Sequence, residues 1–104
     1  MTIEELIAKV KELISKNPDN MYPRGTCSYT RGTCSNGTVG CIFGQAFRAL
    51  GWPLTLTGSI ATVLPKMGIS GTPEQIQWCV SVQAKQDSGH PWSECDGSTQ
   101  SSET

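Results

Sequence analysis

Residues 21 to 39 carry few large apolar side chains and many Gly, Thr and Ser, and they separate runs whose apolar residues repeat with helical spacing. A stretch of that composition cannot supply the buried stripe of a helix. The chain is therefore constrained to helices joined by a turn-rich, extended insert. Within the insert Arg-Gly-Thr-Cys-Ser occurs twice, at residues 24–28 and 31–35, and sets Cys27, Cys34 and Cys41 at equal seven-residue steps among Arg24, Tyr29, Arg31 and Asn36. Ser35-Asn36-Gly37-Thr38 contains Asn-Gly, the strongest short hairpin signal. The echo is too short for a repeat architecture and reads as a local duplication in a tolerant loop. The expected fold class is α+β: a small, mainly helical single domain with a short β-hairpin between helices one and two.

The first helix follows from a capping box at Thr2 and Glu5 and from Ile3, Leu6, Ile7, Val10, Leu13 and Ile14 on one face, and Asn17-Pro18-Asp19-Asn20 stops it. The second, about Cys41 to Leu50, ends at Gly51, with Phe43, Ala46, Phe47 and Leu50 inward. Cys41, Gln45 and Arg48 share a neighbouring face, and Gly40 and Gly44 allow another backbone to approach closely. A shorter helix, about Ser59 to Leu64, is expected to stop at Pro65. The fourth starts at Thr72-Pro73-Glu74-Gln75 and runs to about Asp87, with Ile76, Cys79 and Val80 inward and Gln83 and Asp87 continuing that face as polar residues. The globular domain is expected over 1–96, with 97–104 a disordered polar tail.

At 104 residues the chain buries roughly 60 to 70% of its unfolded surface, enough to fold without a metal or disulfide. Eight Lys plus Arg against nine Asp plus Glu give no field to hold a polyanion, which argues against a nucleic-acid polymer as partner. The first helix is charged and periodic, neither a secretory apolar core nor a membrane span. A cytoplasmic location is expected, with thiols as the default state of the five cysteines and Cys27 with Cys34 the first pair to suspect if a disulfide forms.

No catalytic, metal or nucleotide fingerprint is complete. Cys27, Cys34, Cys41 and the sole histidine, His90, lack the close ligand pairs of a zinc site, so no metal and no cofactor is expected. Cys41, at a helix N-terminus, has the position of an activated thiol, but its base would have to be His90. Gly37 to Cys41 leads into a helix without the Gly-Lys-Ser/Thr of a phosphate loop. Asp87 is the oddest group, a carboxylate at a helix C-terminus on an inward face. It calls for a cation, with Arg48 the first choice and Arg24 or Arg31 the alternatives. Either the pair is structural, or Tyr29, Arg31, Gln45, Arg48, Gln83 and Asp87 line a ligand-binding pocket.

Gly40-Cys41-Ile42, Gly44-Gln45-Ala46 and Leu50-Gly51, then Trp78, Val82-Gln83, Gln86-Asp87, Gly89 and Pro91-Trp92, resemble a group of small uncharacterised proteins of actinobacteria and the phages that infect them. The likeness covers about residues 1 to 96. The duplicated Arg-Gly-Thr-Cys-Ser departs from the group's single loop cysteine, and Ser93-Glu94-Cys95-Asp96 stands where the group continues as an Ala-rich helix. The resemblance implies no activity. It implies a phage or host accessory protein acting by binding: a non-enzymatic protein that occupies a host protein or sequesters a small polar, nucleotide-like ligand in the host cell cytoplasm. The alternatives are a small enzyme using Cys41 or an Asp87/His90 pair, and a structural interaction module. The oligomeric state is left open.

Overall fold

The computed structural model describes residues 2–23, 29–52 and 58–95. Its helices are α1 (Ile3–Lys16), α2 (Ile42–Leu50), α3 (Ile60–Lys66), α4 (Pro73–Asp87) and α5 (Trp92–Cys95). At the start of α1 the Thr2 hydroxyl accepts from the Glu5 N–H and the Glu5 carboxylate accepts from the Thr2 N–H, at 3.2 and 2.9 Å. Thr72 and Gln75 repeat the arrangement at α4. Such a box satisfies two of the four N–H groups that a helix start leaves unpaired. Ile3, Leu6, Val10 and Ile14 of α1 are buried, and α2, buried from Ile42 to Phe47, lies against α1 and α4. No helix among the described residues is long and apolar enough to cross a membrane.

The expected hairpin is not formed. Among the described residues there is no strand, only one isolated antiparallel bridge between Thr33 and Val39. The turn itself is present: Cys34 N–H donates to Thr38 O at 2.7 Å, and Gly40 N–H to Gly32 O at 2.8 Å. Pairing cannot extend further, because Gly32 and Gly40 sit at φ 82° and 94°, in the left-handed region that bends the chain out of an extended path. The backbone beyond them is committed elsewhere. A Cβ on Gly44 would overlap the Tyr29 carbonyl, so the 29–30 segment lies directly on α2.

Two boundaries also differ from expectation. Helix α3 continues through Pro65 to Lys66; the proline removes one N–H, while the Met67 N–H bonds Val63 O and Leu64 O and completes the last turn. The short α5 was not anticipated. It is tied to the end of α1 by Trp92 N–H to Asn20 O at 2.8 Å and Ser93 N–H to Pro18 O at 2.9 Å, which brings the Trp92 ring fully into the core. The proposed tail, 97–104, lies outside the described residues.

Candidate functional site

The polar end of α4 faces inward, and its amides close the starts of two other helices. Neither Cys41, the N-cap of α2, nor Ser59, the N-cap of α3, makes a side-chain capping bond. Instead Gln86 Oε1 accepts from the Ile42 N–H at 2.6 Å and Gln83 Oε1 accepts from the Ile60 N–H at 2.8 Å. The other end of Gln83 donates to the Tyr29 hydroxyl at 3.2 Å, and that hydroxyl donates to Gly58 O at 2.7 Å. Burial raises the Tyr29 pKa; the Gln83 hydrogen bond opposes the shift and the nearby Asp87 charge adds to it. Tyr29 and Gln83 therefore do meet, with Asp87 close by, as internal bracing of α2, α3 and the insert.

The remaining nominated residues do not converge there. Gln45 is buried and donates to Thr38 Oγ1 at 2.9 Å, Gly40 O at 3.0 Å and Cys34 Sγ at 3.5 Å. Arg31 is exposed, and its carbonyl receives the Tyr22 hydroxyl at 2.9 Å. Arg48 is exposed and donates to Val39 O at 2.6 Å. The expected Arg48–Asp87 pair is not among the ion pairs of the described residues, which join Lys9 and Lys16 to Glu12 and His90 to Glu94. The last turn of α2 carries Arg48 outward, within reach of the loop carbonyl. Asp87 is half-buried and engaged, receiving Gln86 Nε2 at 3.5 Å among its interactions; the candidate Arg24 lies outside the described residues.

The cysteines also differ from expectation. Cys41 is in a disulfide, whereas Cys34, Cys79 and Cys95 are free and buried. Cys34 is thus not half of the first-suspected pair; its sulfur turns inward, donating to Gly40 O at 3.5 Å beside the Gln45 amide. Cys27 lies outside the described residues. Burial pushes the Cys79 and Cys95 thiols up to about 12, so at neutral pH neither is a thiolate nucleophile. His90 is exposed and its Nδ1 lies 3.1 Å from Glu94 Oε1. Among the described residues no three His, Cys, Asp or Glu side chains gather where they could hold a metal.

What faces solvent is a cleft of about 200 Å³ lined by Tyr29, Thr30, Gly44, Arg48 and Trp52. The half-buried Trp52 ring is fixed against Phe47, with centroids 6.0 Å apart and planes at 40°. Two shallower hollows lie at the far end of the insert, one of them, about 300 Å³, running from Lys16 to Asn20 with Ser35 and Asn36. The sequence offers Trp52, with Trp78 and Trp92, as a core residue that could also stack on a planar ligand or anchor a partner; it did not point to Gln86 as a cap or to Asn20 as a junction. Asn20 Oδ1 accepts from the Asn36 N–H at 3.0 Å and from Ser35 Oγ at 3.2 Å, fastening the turn to the end of α1. The one available signal for Gln86 was its place three residues after Gln83, which puts both amides on one face of α4. The chain matches no family model, no curated protein and no solved structure.

Proposed function

We propose that the protein is a non-enzymatic binding protein of phage-accessory type that occupies a host protein in the cytoplasm, and that the Tyr29–Arg48–Trp52 cleft receives an acidic side chain of that partner. The observation carrying this reading is the size of the cleft together with its rim. About 200 Å³ falls below the roughly 300 to 1,000 Å³ of typical small-molecule sites, and it suits one inserted side chain better than a nucleotide. Gln45 and Gln83 are engaged in internal hydrogen bonds, which leaves the Arg48 guanidinium as the charged recognition group, with the donors that its bond to Val39 O does not use. Arg and Trp are also the side chains over-represented where interface energy concentrates. The enzyme alternatives have less support, since the Cys41 sulfur is held in a disulfide and the His90 ring sits against Glu94.

The test is affinity capture from actinobacterial lysate with wild-type protein and Arg48→Glu, paired with native mass spectrometry of the purified chain. A stoichiometric protein partner captured by the wild type and lost with Arg48→Glu at unchanged melting temperature is the expected result. Undiminished capture by Arg48→Glu, or a small molecule carried by the native chain and released on unfolding, would overturn it.

A further inference from the structure

We infer that Asn36-Gly37 is a self-modifying site: when the turn that holds it opens, Asn36 closes on the Gly37 nitrogen and is converted to aspartate and isoaspartate, and while the turn is shut the conversion is restrained. The chain's three asparagines are followed by Pro18, Met21 and Gly37. The reaction needs a main-chain N–H on the next residue, which Pro18 lacks, and room around it, which the Met21 side chain narrows. Gly37 has both. It is exposed, and a Cβ built on it meets nothing within 4 Å.

The folded turn holds the groups that the reaction would use. Gly37 N–H donates to Cys34 O at 2.9 Å, Asn36 Nδ2 donates to Asn17 Oδ1 at 3.3 Å, and Asn36 Oδ1 accepts from the Thr38 N–H at 3.0 Å and from Thr38 Oγ1 at 2.5 Å. The side-chain amide is thus fixed at both ends, its nitrogen on the end of α1 and its oxygen on Thr38. Ring closure demands a close, aligned approach of the Gly37 nitrogen to Asn36 Cγ, so the Gly37 bond and at least one side-chain bond have to break first. The Asn36 N–H is in turn tied to the Oδ1 of the buried Asn20 at 3.0 Å, which makes Asn20 the latch of the turn.

In the step, the Gly37 nitrogen loses its proton to solvent base and bonds to Asn36 Cγ, the Cγ–Nδ2 bond breaks, and Nδ2 leaves as ammonia with a proton from water. Water then opens the resulting succinimide at either carbonyl: hydrolysis at Cγ gives aspartate, and hydrolysis at the original main-chain carbonyl gives isoaspartate. The only co-reactant is water, and no electrons are gained or lost. Both products carry a new carboxylate, and isoaspartate adds one atom to the main chain between positions 36 and 37. The turn closed by Cys34 N–H to Thr38 O at 2.7 Å does not fit that longer path, so a transient opening becomes permanent.

The test is to incubate the full chain at mildly alkaline pH, in native buffer and in denaturing urea with reductant, digest samples over time and quantify aspartate and isoaspartate at position 36 by mass spectrometry, with Asn20-Met21 as the internal reference. In urea, conversion should occur at Asn36 well ahead of Asn20. In the folded wild type it should run about thirtyfold slower than in urea, the factor for holding two hydrogen bonds, and in folded Asn20→Ala about fivefold faster than in folded wild type, the factor for one. The inference is overturned if Asn36 keeps its amide in urea or converts no faster than Asn20, if folded wild type converts as fast as the unfolded chain, or if a folded Asn20→Ala converts at the wild-type rate. Where Asn20→Ala fails to fold, the wild-type comparison decides on its own.

Discussion

The main-chain N–H of Ile42 donates to Gln86 Oε1 at 2.6 Å, joining residues 44 positions apart. With the matching bond from Ile60 to Gln83, it makes α4 the common cap of α2 and α3. Replacing either glutamine by leucine leaves a buried N–H without an acceptor, a loss of roughly 1 to 3 kcal/mol. Urea denaturation should show a drop of that size for Gln86→Leu and for Gln83→Leu. A change below about 0.5 kcal/mol, typical of a surface site, would show that these amides do not brace the helix starts.

The contact between Gly44 and Tyr29 gives a second expectation. Any Cβ at position 44 meets main-chain atoms of Tyr29, not the flexible end of a side chain, so the 29–30 segment has to lift off α2. Gly44→Ala should destabilise the fold by on the order of 3 kcal/mol despite the better helix propensity of alanine. A variant as stable as wild type would mean that this backbone does not rest on the helix.

How much of this was legible depended on whether a signal was local. The capping boxes at Thr2 and Thr72 and the apolar period of α1 involve residues three or four apart, so those helices could be read from the chain alone. The Asn36-Gly37 turn was equally local, but whether a hairpin would grow from it depended on Gly32 and Gly40 taking positive φ and on Tyr29 lying on Gly44, neither of which the alternating pattern encodes. The inward glutamines of α4 were visible but ambiguous: an amide that could read a ligand can equally satisfy the start of another helix. Arg48 was paired with Asp87 by charge logic, yet the last turn of α2 directs it to Val39 O. Asn20 was read only as part of a helix stop, because its bonds to Ser35, Asn36 and Trp92 come from distant positions.

Alkaline pH should weaken the fold with a sign fixed by its buried thiols. Unfolded cysteines titrate near the ordinary value of 9.0, while Cys79 and Cys95 in the folded chain are pushed up to about 12. Between those values the unfolded chain has lost protons that the folded chain still binds, so stability falls as pH rises. Below about pH 9 this contribution is fully present, and above about pH 10 the raised Tyr29 phenol acts in the same direction. The urea midpoint should decline through this window, and Cys79→Ala should reduce the slope. A midpoint independent of pH up to about 11 would mean the thiols are hydrated in the native state.

The last prediction concerns Asn20, which is 3% exposed and anchors three segments at once. Its side-chain oxygen receives the Asn36 N–H and Ser35 hydroxyl, while its carbonyl receives the Trp92 N–H. Its own Nδ2 is buried with no hydrogen-bond partner among the described residues, so the side chain already carries an unpaired donor and its net value rests on the oxygen alone. Asn20→Ala removes the acceptor and the unpaired donor together. The expected global loss is therefore at the low end of the usual range, about 1 kcal/mol, whereas the local effect is larger. The Asn36 amide should lose its hydrogen-exchange protection, while the Trp92 amide, bonded to the unchanged main-chain carbonyl, should keep most of its own. If Asn36 stays protected, the turn is held by its own bonds and Asn20 is not its anchor; if both amides lose protection together, the junction opens as one unit and the side chain cannot be separated from the α5 contact.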